Sequence, residues 1–203
     1  NTNLLAGTLR LSGASVSPLG VAGSAALTVV RQGATLDVNG AGANTVLYPG
    51  FSLPLTPLGA LSGAGYLDNS SASNAAVSLG TATTSATTVF SGIIRNTGSG
   101  SLAVVRQGAS GTLFLTGMNT YTGPTILSGS AVLGVTNLAD GGNASSLGAS
   151  SNAASNLVFN GGTLQYTGSN PSFVQFTQTP SVSTDRLFTL AGNGSIDSSG
   201  AFG

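Results

Sequence analysis

The sequence predicts an all-β chain wound as a β-solenoid of stacked parallel strands, and three observations lead there. The helix formers Glu, Lys, Arg, Gln and Met are absent or scarce, and short segments alternate apolar and other residues at period two. The chain also matches itself over a long offset.

The composition comes first. Of 203 residues, 40% are apolar and only 5% are charged, against ~25% charged in an average soluble domain. The charged residues are five Arg and five Asp, while Lys, Glu and His do not occur. With Glu and Lys gone and β-branched Thr and Val abundant, the chain holds no amphipathic helical window. Thirty-one Gly imply many tight corners. Disorder is the rival for a chain rich in Gly and Ser, but it goes with low hydrophobicity or high net charge. Here the formal net charge is zero and apolar triplets recur regularly. A folded β structure is the better reading.

The strand elements share one grammar. Gly7-Thr8-Leu9-Arg10-Leu11, Gly33-Ala34-Thr35-Leu36-Asp37-Val38, Gly111-Thr112-Leu113-Phe114-Leu115, Ser130-Ala131-Val132-Leu133 and Gly162-Thr163-Leu164-Gln165-Tyr166 each turn a corner on a small residue and then alternate. Alternation at period two marks a strand with one buried face. Leu27 to Val30, Leu102 to Val105 and Asn156 to Phe159 read as further short strands, and the string VVRQGA occurs twice, from Val29 and from Val104. Dense short strands without helices leave a sandwich, a barrel or a solenoid.

The long repeat favours the solenoid. Pro18-Leu19-Gly20 returns as Ser146-Leu147-Gly148, and Gln32 to Leu36 returns as Asn160 to Leu164, both at an offset of 128 residues (148 − 20 and 161 − 33). Leu61 to Asp68 returns as Leu190 to Asp197 at 129 (192 − 63). Residues 1–203 are therefore expected to form a single solenoid segment holding about one and a half copies of the unit, a window of a longer array. Coils of some 20–30 residues at the ~4.8 Å strand spacing would give a rod on the order of 40 Å long.

Residues 90–134 carry a further signature. Phe90-Ser91-Gly92, Gly98 to Leu102, Gly108, Gly111-Thr112-Leu113 and Asn119-Thr120-Tyr121-Thr122-Gly123 follow a recognisable order. The segment resembles the passenger-associated transport repeat, also called the autotransporter-associated β-strand repeat. It departs from the family pattern at Val105-Arg106 and at Ser130-Ala131. The resemblance implies a right-handed parallel β-helix, an autotransporter passenger domain, and a place outside the cell or on the bacterial outer-membrane surface. The C-terminal β-barrel through which such passengers are secreted is not seen in this sequence, nor is a signal peptide.

Chemistry is mostly closed. Without His no Ser-His-Asp triad can be built, and without His and Cys a zinc site lacks its usual ligands. No catalytic, cofactor-binding or metal residue is therefore assigned, no cofactor is expected, and the chain is read as not an enzyme. The carboxylates are Asp37, Asp68, Asp140, Asp185 and Asp197, of which Asp68 and Asp197 occupy equivalent repeat positions and read as turn or cap acceptors. Asp140-Gly141-Gly142-Asn143 reads as a turn rather than a calcium loop. Arg31 and Arg106 read as corner arginines with stems packed on apolar surface, the alternative being contacts for an anionic ligand. Tyr48, Tyr66, Tyr121 and Tyr166 either line a carbohydrate groove or pack within strands. Asn69, Asn143 and Asn193 begin glycosylation sequons of the kind chance produces in such a sequence.

Three prolines interrupt the grammar from Pro49 to Pro57, and Pro171 to Pro180, with Phe173 and Phe176, does so again. These read as loop or edge excursions, and protruding loops are where a solenoid places its binding function. There is no basic patch for nucleic acid and no apolar run of membrane-spanning length, so neither nucleic-acid binding nor membrane insertion is expected. Three functions remain. The first is a structural or adhesive rod on a cell surface, meeting a host or surface carbohydrate or protein ligand. The second is a self-assembling extracellular filament or sheath subunit, associating end to end or side by side, since uncharged edges lack the usual guards against pairing. A polysaccharide-active β-helix enzyme is third, disfavoured by the missing Glu, Lys and His.

Overall fold

A computed structural model describes residues 1–12, 27–41, 44–48, 51–80, 87–108, 111–168 and 182–198, with backbone alone at 44–48, 51, 53 and 54. The described residues form sixteen strands and one 3₁₀ turn, Ala154–Asn156, so the chain is all-β with almost no helix. The strands begin with β1 (Thr2–Leu4), β2 (Gly7–Arg10), β3 (Leu27–Val30), β4 (Ala34–Asp37) and β5 (Asn44–Tyr48). There follow β6 (Phe51–Gly63), β7 (Tyr66–Asp68), β8 (Ala75–Leu79), β9 (Thr88–Phe90), β10 (Ile93–Arg95) and β11 (Leu102–Gly108). The last five are β12 (Thr112–Leu115), β13 (Thr125–Val135), β14 (Leu157–Tyr166), β15 (Thr189–Leu190) and β16 (Ser195–Asp197). Among the described strands every pair is parallel except the hairpin of β5 on β6.

The pairings sort into three ladders. The first runs β1, β3, the C-terminal part of β6, β9, β12, the C-terminal parts of β13 and β14, and β16. The second is the four-stranded sheet β2, β4, β7, β10. The third runs through the N-terminal part of β6, β8, β11, the N-terminal parts of β13 and β14, and β15. From β6 to β12 the chain meets the three ladders in a fixed order, as in β9, β10, β11 and then β12; after β12 the described strands alternate between the third and the first ladder, the second having ended at β10. Because β6 and β13 bend through a corner and serve two ladders each, the pairings close a six-strand ring, β6–β8–β11–β13–β12–β9. In the first ladder, partners lie between 20 residues apart (Leu115 and Val135) and 33 (Thr28 and Leu61).

Aliphatic residues stack in register behind these ladders. Leu36, Leu67 and Ile94 form one buried column, and Leu113, Leu133 and Leu164 form another. All six belong to one continuous core with Val77, Val104, Leu127 and Phe159 of the third ladder. Full burial of each such side chain stabilises the fold by ~1.5–3 kcal/mol. The third ladder departs from the one-buried-face expectation. Leu55, Ala76, Ala103, Val105, Ile126 and Val158 make a second apolar cluster, and β8 is buried at all five positions. Its Ala75-Ala76-Val77 and the Leu102-Ala103-Val104-Val105 of β11 are unbroken apolar runs, the signature of a strand covered on both sides.

The corners explain the small residues. At the turn from the first ladder into the second, Gly65, Gly92 and Gly117 pile on one another. A methyl on Gly92 would collide with the carbonyl oxygen of Gly65, and one on Gly117 with that of Gly92. Only hydrogen at these positions lets successive passes approach to strand spacing.

The proline segment, read as a loop or an edge excursion, is strand where it is described. Residues 51–57 are strand, within the β5–β6 hairpin and at the irregularity between Pro57 and Gly59. Hairpin edges and bulges are where a strand tolerates a missing donor. Pro49 and the second excursion, Pro171 to Pro180, lie outside the described residues.

Candidate binding surface

With Leu36, Leu67 and Ile94 turned into the core, the alternate residues of the second ladder point away from it, although Asp37 and Asp68 among them are themselves buried. Arg10, Asp37, Asp68 and Arg95 stand in register as one column. Four of the ten charged residues thus line one face, in the order cation, anion, anion, cation. Arg10 Nε donates to Asp37 Oδ2 at 2.7 Å, and Arg95 Nε donates to Asp68 Oδ2 at 3.0 Å. Two carboxylates in adjacent rungs repel each other, and this arrangement gives each its own guanidinium.

Each aspartate also ties its strand to the next pass. The Ser70 hydroxyl and amide donate to Asp37 at 2.6 and 3.1 Å, and the Asn39 amide donates at 2.9 Å. Thr97 does the same for Asp68 through its amide at 3.0 Å and its hydroxyl at 3.1 Å. Burial by itself would raise the Asp37 carboxyl, but the hydrogen bonds from Ser70, Arg10 and Asn39 together hold it below its ordinary value. Asp197, the repeat partner of Asp68, lies on β16 in the first ladder and accepts from Gln165 Nε2 at 3.0 Å.

One aromatic shares this outer face. The Arg95 guanidinium sits 4.0 Å from the centroid of the half-buried Tyr66 ring, a cation–π contact worth ~0.5–1 kcal/mol where solvent reaches it. Tyr121 is buried, its hydroxyl 2.7 Å from Thr125 Oγ1, and burial pushes it up to about 12. Tyr166 packs partly buried against the core, and the Tyr48 side chain lies outside the described residues. The three described tyrosines therefore line no common groove.

The two VVRQGA arginines part company. Arg31 is exposed in the turn between β3 and β4. Arg106 points into the core, where its guanidinium donates to the carbonyls of Val132 (3.2 Å), Leu79 (2.8 Å), Gln107 (2.9 Å) and Gly111. Burial pushes it down to about 10, so it stays charged at neutral pH while held by carbonyl oxygens. Gly80 leaves the space this guanidinium fills, since a methyl there would strike Nη1.

Arg186 makes a second cage that sequence reasoning missed. It donates to the carbonyls of Ala139, Ser150, Asn143 and Gly148 and to the Ser150 hydroxyl. Beside it Asp185 Oδ1 accepts from the Gly141 amide at 2.7 Å, while Asp140 Oδ1 accepts from the Asp185 amide at 3.0 Å. Residues 184–186 are thereby clamped onto the loop at 139–152, and the Asp140-Gly141-Gly142-Asn143 turn is part of that clamp. Among the described residues no group of three or more acidic side chains is placed to hold a metal ion. Asn119 was also missed as a bridge: Oδ1 accepts from the Ile94 amide and Nδ2 donates to the Ser146 carbonyl. Of the sequon residues, Asn69 is buried, while Asn143 and Asn193 are exposed.

The chain is similar to a bacterial adhesin. Over 108 residues, 53% of this chain, it is 44% identical to a curated protein named Adhesin BmaC autotransporter, from Brucella suis biovar 1 (strain 1330). The matched stretch is 3% of that relative's length, so the chain corresponds to a small part of a far longer protein. No family model matches the chain, and no solved structure matches it.

Proposed function

We propose that this chain is a segment of the surface-exposed passenger of an autotransporter adhesin, coiled as a right-handed parallel β-helix and working by contact rather than catalysis. The 44% identity to an autotransporter adhesin over half the chain carries this reading. The recurring order of three parallel ladders supports the coil, and the six-strand ring follows from two strands each turning a corner of it. Phe90 to Gly134, read as the passenger-associated repeat, runs from the last residue of β9 through β10, β11 and β12 into β13. The ~128-residue unit read from the sequence belongs to the same proposal. No helix among the described residues is long and apolar enough to cross a membrane.

The outer face of the second ladder is the contact surface this reading assigns, because it gathers Tyr66, Arg10 and Arg95 on a rigid sheet. Its flat array of hydroxyl, guanidinium and aromatic groups suits a glycan or an extended peptide. The test is to display the chain on a non-adherent bacterium, ahead of an autotransporter β-barrel, and count bound bacteria on host cells and on immobilised glycans. Adherence above the barrel-only control, reduced by Tyr66→Ser with equal surface display, is the expected result. Full display with no gain in adherence would make the segment a spacer.

A further inference from the structure

The outer face of the first ladder carries an aromatic ring that is not part of the core. Val89, Phe114, Gly134, Gln165 and Asp197 stand in register there, alternate to the buried column of Leu113, Leu133 and Leu164. Adjacent positions are one strand spacing apart, ~4.8 Å. The Phe114 ring leans across the next rung. A methyl on Gly134 would strike its Cδ1 and Cε1, and Gly134 is buried although it belongs to the outward set. With no side chain beneath it, the ring lies over backbone and keeps its far side open. Phe114 is half-buried, and Val89 beside it is 49% exposed.

Polar groups flank the ring. One rung past Gly134, Gln165 Nε2 donates to Asp197 Oδ2 at 3.0 Å. An amide has two N–H donors and a carbonyl, so this bond orients Gln165 without exhausting it. Two positions upstream on the same face, Thr112, Val132, Thr163 and Ser195 form a second column, three of them bearing hydroxyls. No arginine joins them. Arg10 and Arg95 belong to the second ladder, Arg106 is in the core, and Arg186 is clamped on the loop at 139–152. Arg31 lies in the turn after β3, three rungs from β12.

We propose that this face binds a neutral glycan built of β-linked hexopyranose units. The C–H face of such a sugar is weakly positive and stacks on the negative face of an aromatic ring, while its hydroxyls leave at the rim. That rim would meet the Gln165 amide and the Thr112 and Thr163 hydroxyls. An acidic glycan finds no counter-charge here and meets Asp197 instead. The site lies on a different ladder from Tyr66, Arg10 and Arg95 and does not rest on the contact surface assigned there.

Isothermal titration calorimetry and saturation-transfer NMR on the 203-residue chain test this, with cellohexaose and chitohexaose as neutral probes and a galacturonate hexamer as the acidic one. We expect saturation transfer to the C–H protons of at least one neutral hexamer, bound about fivefold or more tighter than the acidic one. Phe114→Leu keeps an apolar side chain beside Gly134 but removes the π face. It should weaken binding about fivefold while keeping the wild-type far-UV circular dichroism, and Phe114→Tyr should bind as wild type does. Gln165→Ala, away from the core, should weaken binding as well and decides the matter if Phe114→Leu folds poorly. Tyr66→Ser should leave binding unchanged. No transfer to either neutral hexamer would overturn the proposal. So would tighter binding of the acidic one, or wild-type binding by folded Phe114→Leu. Binding lost in Tyr66→Ser would overturn it too, by placing the glycan on the second ladder.

Discussion

Arg31 and Arg106 occupy the same place in the same hexapeptide, and replacing each by Ala should have opposite consequences. Arg31→Ala removes an exposed turn side chain and should change stability by no more than about 0.5 kcal/mol. Arg106→Ala removes the donors serving four carbonyls, on β8, β11, β13 and at Gly111, and leaves a void in the core. Each buried acceptor left without a donor costs about 1–3 kcal/mol. Part of that is offset, because the guanidinium's own desolvation cost vanishes and water can enter the void. A net loss of about 3–5 kcal/mol follows, the range for breaking a buried charged network. With a urea slope of ~2–3 kcal/mol per molar, the unfolding midpoint should fall by about 1–2 M for Arg106→Ala and by about 0.2 M or less for Arg31→Ala. Far-UV circular dichroism in a urea series measures both. Arg106→Lys should fall between them, since one ammonium cannot span carbonyls on three strands. Equal midpoints for the two alanine variants would refute the carbonyl cage.

Two further outcomes follow from the same packing. The folded Asp37 carboxyl titrates below its ordinary 3.8, so its stabilisation is complete above about pH 4 and is lost as pH falls through the lower folded value. Asp37→Asn should therefore be less stable by about 1–2 kcal/mol at neutral pH and show a flatter acid limb, read from thermal melts between pH 2 and 7 at roughly one-unit steps. An unchanged acid limb would remove Asp37 from the acid response. Gly92→Ala should cost about 1–3 kcal/mol, because its methyl meets the Gly65 carbonyl and the two passes must part; a melt unchanged from wild type would show that the corner yields freely.

What the sequence made legible was local. The alternation after a small residue marks β2, β4, β12 and the C-terminal halves of β13 and β14, all of which are strands. Such a pattern needs only neighbouring residues and the pleat of one strand. The stretches it underestimated are β13 and β14, which continue through corners at Gly129 and Gly161, both with positive φ, as unbroken eleven- and ten-residue strands. A glycine at a corner reads as a terminator, yet here the strand bends and continues, its register shifting by a bulge between Gly129 and Val132.

Ladder assignment was not legible, and the site failed for the same reason. Gln32 to Leu36 turns from the first ladder into the second, whereas its repeat partner, Asn160 to Leu164, turns from the third into the first. Asp68 and Asp197 likewise fall on different ladders. The three corners use one local grammar, strand then small residue then strand, so similarity of text does not distinguish them. Which ladder a segment joins depends on how many residues the whole pass contains, and partner offsets from 20 to 33 shift that count from one pass to the next. The same displacement decides the arginines. Val29-Val30-Arg31 leaves the first ladder with Arg31 at an exposed turn, while Val104-Val105-Arg106 runs along the third with Arg106 inside a column between Leu79 and Leu127. The environment of a residue here is written by the rungs above and below it, some 20–33 positions away, and only pairing can bring those into view.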